Sequence, residues 1–221
     1  MDQAGHDKDP FEVMRLILEL RQSGITDTRL LNAVESLPRD VFIPADLTEY
    51  AFENIALPIA CGQTISRPSI VADMIDALKL GEQASLTVLE IGTGTGYATA
   101  LISKLSKRVY TIERYRTLLY AARKRFSSLG LQNIVSQCAD GNLGWAASAP
   151  FDRIISTCAA EDVPEVWVNQ LKAGGIMILP VGTNEDQHMV RLTKNSDGSV
   201  QSETMGPSQF LHIAEGVAKE L

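Results

Sequence analysis

The sequence predicts an α/β fold built on a doubly wound, mostly parallel sheet with an antiparallel end. Three observations carry this expectation. From Leu86 onward, short apolar runs of strand length alternate with helix-length segments, the rhythm of βαβ units. The run Val88, Leu89 and Ile91 is almost continuously apolar, as a central strand buried on both faces should be. Beyond Gly182 the alternation stops. There residues 189–193 and 200–204 flank Asn195-Ser196-Asp197-Gly198, a turn cluster that predicts a β-hairpin.

Each element follows from local chemistry. Residues 1–10 (MDQAGHDKDP) are acidic and polar and read as a loose tail. Residues 11–21 set apolar side chains at helical spacing and stop at Ser23-Gly24. Thr26 or Asp27 caps a second helix over 28–37, with Leu30, Leu31, Val34 and Leu37 on one face, and Pro38 ends it. With the irregular connector to residue 60, these two helices read as a helical N-terminal cap on a core over 61–221, the whole forming a single domain. Pro68 opens a helix over 69–80. Strand Thr87–Ile91, a helix over 95–105, a strand over 108–112, a helix over 115–129 and strand Ile134–Cys138 follow. After a loop through Gly141, Gly144 and Trp145 come a strand over 152–157 and a helix over 164–171. That helix is expected to end on the cap pair Gly174-Gly175, before a buried strand over 176–181.

Composition narrows the function. A chain of 221 residues, 45% hydrophobic, can bury one sizeable core. No run approaches the roughly 20 apolar residues of a membrane span. The first residues resemble neither a secretory signal nor an arginine-rich transit peptide, so a cytoplasmic protein is expected. The formal net charge of −7, without a lysine or arginine stripe, argues against a nucleic-acid partner. Cys61, Cys138 and Cys158 are odd in number and form no CxxC pair, which reads as reduced thiols and no metal site. Nothing calls for an obligate interface, so a monomer is expected.

Two stretches carry chemistry. The first is VLEIGTGTGY, where a strand runs into Gly92, Gly94 and Gly96 and then into a helix. Such a turn lets a ligand approach the backbone closely, near exposed amide donors, and points to a nucleotide-bearing cofactor. Glu113 closes the next strand, seventeen positions after Gly96, where a carboxylate can accept from both hydroxyls of a ribose. Asp140-Gly141 ends the third strand and could meet an adenine edge, or be a plain turn. A dinucleotide fingerprint wants G-x-G-x-x-G; here the glycines fall at G-x-G-x-G, and Tyr97 stands where the third would be. Glu90, just before the loop, would hold an ammonium group or orient the loop, and has no task beside a pyrophosphate. The second stretch is CGQTISRP, which gathers Gln63, Thr64 and Ser66 at a helix N-terminus. It would suit a carboxylate ligand, or be an ordinary capped helix start.

An acidic E-x-G-x-G-x-G followed by a strand-end glutamate resembles the class I methyltransferases that use S-adenosylmethionine, with their Rossmann-like fold. More of the chain, from about Leu30 to Val217, is similar to the protein-L-isoaspartate O-methyltransferases. PRDVFIP, GQTISRP-SIVADM, VLEIGTGTGY, VYTIER, ADGNLGW, APFDRIISTCAA and LKAGGIMILPVG stand in that family's order, and the closing EGVAKEL resembles bacterial members. The resemblance implies methyl transfer from S-adenosyl-L-methionine, leaving S-adenosyl-L-homocysteine, to the free α-carboxylate of L-isoaspartyl residues in damaged proteins and peptides. The methyl ester collapses to a succinimide, which initiates repair. It further implies Ser66 as the catalytic serine, an orienting donor working with Thr64. Cofactor contacts are implied for Gln63, Thr64, Glu90, Gly92, Thr93, Gly94, Thr95, Gly96, Glu113, Asp140 and Gly141, and for no metal.

This chemistry asks for positioning more than for acid or base. A carboxylate with a pKa near about 4 is already ionised at neutral pH. Hydroxyl donors can orient it, whereas a clamped cation would lower its nucleophilicity. The chain departs from the family pattern at Arg67, Ala139 and His212, which bears on peptide selectivity. Trp145 reads as packing, and His188 and His212 as partly exposed strand residues. The competing readings are a methyltransferase for another carboxylate or a small molecule, and a module that binds S-adenosylmethionine without turnover.

Overall fold

Residues 10–80 and 85–218 are described by the structure, a computed structural model; the expected tail over 1–10 therefore lies, but for Pro10, outside the described residues. Helix α1 spans Pro10–Gln22 and buries Val13, Leu16 and Leu20. Asp27, of the two possible caps, opens α2 (Thr28–Ser36) by accepting from the amides of Arg29 and Leu30. Two strands of two residues each, β1 (Leu57–Pro58) and β2 (Thr64–Ile65), form a small antiparallel hairpin ahead of α3 (Pro68–Ala77).

The main sheet begins with β3 (Thr87–Ile91), followed by α4 (Tyr97–Leu105), β4 (Arg108–Glu113), α5 (Arg116–Ser128) and β5 (Ile134–Cys138). The chain then crosses to the other side of β3 with β6 (Phe151–Ser156), α6 (Glu165–Gln170) and β7 (Leu171–Gly182), and closes with β8 (Gln187–Lys194) and β9 (Val200–Pro207). The strand order is β5-β4-β3-β6-β7-β8-β9, parallel from β5 to β7 and antiparallel beyond. This is the doubly wound sheet with an antiparallel end that the strand rhythm predicts. Its switch point falls between β3 and β6, and in such sheets ligands sit in the crevice beyond the strand ends there.

Alternation along β3 divides the core in two. Val88 joins α1 to α4 on one face, while Leu89 and Ile91 join Phe151, Trp167 and Met177 on the other. The N-terminal helices thus share a core with the sheet they cover.

One expected element differs. Helix α6 stops at Gln170, and Gly174-Gly175 lies within β7 instead of capping the helix. Leu171 is already extended and fully buried, paired with Phe151, while Arg153 pairs with Ile176. The chain between those two pairs is a bulge, and Gly174 supplies its left-handed residue (φ 78°). Burial of Leu171 in the sheet outweighs the capping preference of the glycine pair.

Candidate active site

The crevice at the switch point is walled by what leaves β3, β4 and β6. Ile91, Gly92 and Gly94 line it from the first, Glu113, Arg114 and Tyr115 from the second, Thr157 and Cys158 from the third. Gly141 closes the floor, residues 211–214 cover one side, and Gln63 and Thr64 reach in from the β1–β2 hairpin. The cavity has a volume of about 250 Å³.

The glycines are required by conformation and by closeness. Gly92, Gly94 and Gly96 all hold left-handed backbone, with φ of 94°, 56° and 92°. A Cβ on Gly92 would collide with Thr157 Oγ1, a hydroxyl that donates to the Gly92 carbonyl at 2.7 Å. A Cβ on Gly96 would stand 2.5 Å from the Phe126 ring, so this glycine serves the packing of α4 against α5. The expectation of free loop amides needs correction. Gly92 and Thr93 donate to the Ile112 carbonyl, Gly96 to the Thr93 carbonyl, and Gly94 to Glu113 Oε2 at 2.8 Å. With those donors already engaged, the loop offers a bare backbone surface more than an anion cradle.

Three carboxylates have three different situations. Glu113 faces the cavity, and its oxygens accept from the amides of Gly94 and Tyr115 (2.8 and 2.9 Å). Burial pushes its pKa up, and the backbone donors oppose that. Each oxygen keeps a lone pair for a further donor. Glu90 lies beneath the loop, off the cavity, fully buried. Its Oε2 accepts from Thr99 (2.5 Å) and Thr111 (2.6 Å), Thr93 hydrogen-bonds Thr111 in turn, and Oε1 has no partner. Burial pushes its pKa up to about 7 despite the two hydroxyls. Asp140 is turned away: its oxygens accept from Asn142 (2.9 Å to the amide) and from the Gly216 amide (2.8 Å). Burial raises its pKa, but these donors together hold it below the ordinary carboxylate range.

Of the sequence-derived cofactor contacts, Gln63, Thr64, Gly92, Gly94, Glu113 and Gly141 line the cavity. Glu90, Thr93, Thr95, Gly96 and Asp140 stand behind it. Glu90 and Thr93 are bound into a buried network, Thr95 and Gly96 are buried, and the Asp140 carboxylate ties down the C-terminal segment. Of the two roles open to Glu90, the geometry matches loop orientation. Trp145 packs edge-on to Tyr110 and takes no part in the cavity. His212 does line it, while the partly exposed His188 lies 3.4 Å from Asp186.

Ser66 sits in a second, outer groove of about 610 Å³, with Asn54, Arg67 and residues 207–211 around it. Gln63, Thr64, Thr157, Cys158 and Leu211 line both spaces and form the wall between them. The turn joining β1 to β2 presents this wall. It is tight enough to hold Cys61 at a left-handed φ of 61°, beside Gly62 at 63°. Burial, helped by Glu113, pushes the Cys158 thiol up to about 12, so it stays a neutral S–H.

Several participants escaped the sequence reading. Arg39 is buried and donates to the carbonyls of Ala51 and Ser66, the latter at 3.1 Å, tying the acceptor stretch to the cap. Thr157 follows β6, and its position at the switch point was the available signal. Trp167 Nε1 donates to the Gly141 carbonyl at 3.0 Å and fixes the floor. Residues 211–214, by contrast, include His212, whose segment the family resemblance ties to peptide selectivity; hydrogen bonds from Ala159 to Leu211 and from Ile213 to Ala159 (2.9 and 2.8 Å) hold them there.

A glycine loop at the switch point, closed by a strand-end glutamate and opening on a polar groove, defines an enzyme of the class I methyltransferase fold. The model of the protein-L-isoaspartate(D-aspartate) O-methyltransferases matches residues 12–218. A Parvibaculum lavamentivorans protein-L-isoaspartate O-methyltransferase is 49% identical, with 99% of each chain covered, and a Caulobacter sp. counterpart is 46% identical over 100% of both. Among solved structures, a protein-L-isoaspartate O-methyltransferase superposes with a TM-score of 0.82 at 27% identity, over 91% of this chain and 66% of its own. A Plasmodium falciparum protein, described as a candidate member and solved with S-adenosyl-L-homocysteine, has the same fold (TM-score 0.76, 21% identity, 90% and 97% covered). The chain belongs to the protein-L-isoaspartate(D-aspartate) O-methyltransferase family.

Proposed function

We propose that the protein methylates the free α-carboxylate of L-isoaspartyl residues in proteins and peptides, with S-adenosyl-L-methionine in the inner cavity and the isoaspartyl segment in the outer groove. The observation that carries this reading is the shared wall: Gln63, Thr64 and Thr157 border both spaces, and Ser66 stands just outside it. The residues fit such a cofactor. Gly92 and Gly94 leave the backbone bare at the cavity, and Glu113 has unused lone pairs for a diol. When bound, the cofactor supplies an electrophilic methyl group.

The chain's own residues then have four tasks. Glu113, with Gly92 and Gly94, holds the cofactor's sugar end against the sheet. Thr64 and Ser66 offer hydroxyl donors that turn one carboxylate oxygen toward the wall and leave its lone pairs free. The groove walls strip water from that oxygen, and positioning of this kind is worth up to roughly 7–11 kcal/mol in the best intramolecular cases. The neutral Cys158 thiol, at the same wall, does not compete for the methyl group, because only a thiolate is a strong nucleophile. No general base is needed for an acceptor that is already an anion. The cap sharing its core with the sheet supports treating the chain as one folding unit. No helix among the described residues is long and apolar enough to cross a membrane.

The test is methyl transfer from labelled S-adenosylmethionine to paired peptides that differ only in isoaspartate or aspartate. The isoaspartyl peptide alone should be labelled, and mild base should release the label as methanol. Equal labelling of the two, or of neither, would sink the assignment.

A further inference from the structure

Arg39 is a buried cation without a carboxylate partner. It is 1% exposed, and no acidic side chain of the described residues forms an ion pair with it, including Asp40 beside it in the chain. Its guanidinium donates to the Ala51 carbonyl and, at 3.1 Å, to the Ser66 carbonyl. It lies 5.1 Å from the centroid of the Tyr97 ring, while Nε has no hydrogen-bond partner. Carbonyl dipoles and an aromatic face are poor compensation for a desolvated charge. A methionine would fill the same space without that penalty. The charge therefore has a use that the free protein does not display.

Its place indicates the use. Arg39 donates to the carbonyl of Ser66, a residue that lines the outer groove, and is not itself among the residues lining that groove. Within the groove wall, Thr64 and Ser66 are neutral donors. Resting on the reading that this groove receives a carboxylate, we infer that Arg39 is the positioning residue that supplies the positive potential for the acceptor anion, acting through the Ser66 peptide group without touching the anion. A direct ion pair would stabilise the attacking oxygen and blunt it. A charge one peptide unit away draws the anion in and leaves its lone pairs free. Being buried, it is also poorly screened by salt, unlike exposed Arg67 at the groove.

The experiment compares binding of two peptides to protein saturated with S-adenosyl-L-homocysteine: an isoaspartyl peptide, and the same peptide with its α-carboxylate replaced by a carboxamide. The parent protein should prefer the carboxylate, and the preference should survive about 0.5 M salt. Arg39→Met should lower the carboxylate-to-carboxamide ratio about tenfold, as expected for one charge at a remove. Arg39→Lys should keep most of it, and both variants should bind S-adenosyl-L-homocysteine within about twofold of the parent. A preference that Arg39→Met retains in full would overturn the inference. So would equal losses in the lysine and methionine variants, which would mark a packing role. Collapse of the parent's preference in salt would assign the potential to Arg67 and also overturn it, with no variant needed. A parent that does not distinguish the two peptides would contradict the proposed function itself.

Discussion

The loop after β3 and the hairpin before α3 face the same wall but are held in opposite ways. The loop is anchored by regular structure: a fully parallel-paired strand, the carbonyl of Ile112, and two buried glutamates that fix its underside. The hairpin has strands of two residues, a left-handed cysteine at its turn, and one buried arginine that donates to the Ser66 carbonyl. The first arrangement suits a constant ligand that always presents the same surface. The second suits an acceptor that arrives on many different chains, where only a carboxylate and some backbone recur.

Substitutions can break that contrast on the loop side. The largest effect is expected at Gly92→Ala, where a Cβ meets Thr157 Oγ1 at a φ of 94°. Backbone strain there costs about 1–3 kcal/mol, so S-adenosyl-L-homocysteine affinity should fall up to about 100-fold, with a lowered Tm. Calorimetry and thermal melts check both. Next comes Glu90, whose folded pKa of about 7 exceeds the ordinary value of 4.5. The native state then holds more protons than the unfolded one between those values, so stability contributed by the protonated group is lost as pH rises through 7. Glu90→Gln removes the titration. Its stability relative to the parent should climb between pH 4.5 and 7, by on the order of 3 kcal/mol, and stay flat above. Denaturant melts at several pH values would show the slope; a constant difference would mean that Glu90 is not carrying it. A smaller change is expected at Glu113→Gln, whose amide would oppose a backbone N–H from Gly94 or Tyr115. Cofactor affinity should fall about tenfold, measured by titration with S-adenosyl-L-homocysteine, with little change in the peptide preference.

The same contrast explains what could be read from the sequence. β3 and its glycines were legible because continuous burial and left-handed turns restrict residue type at each position. Glu113 was legible because its distance from the loop is set by one helix and one strand. Thr93, Thr95 and Gly96 belong to the same run but turn inward. Which loop residues face a cavity depends on φ and ψ that glycine spacing does not encode. Gly174-Gly175 resembled a helix cap because the cap and the bulge demand the same left-handed residue, and only the pairing of Leu171 with Phe151 distinguishes them. Asp140 looked free because one of its partners, the Gly216 amide, is 76 positions away in the chain. Arg39 gave no signal of burial, since a charged side chain in a polar turn ordinarily reads as exposed.

The division of labour between the two regions is tested most directly at Ser66, with turnover and cofactor affinity measured on one preparation. Ser66→Ala should lower kcat on an isoaspartyl peptide about 100-fold, the cost of a misplaced acceptor, while S-adenosyl-L-homocysteine binds within about twofold of the parent value. Turnover and cofactor affinity falling together would place Ser66 in the cofactor site and contradict the account.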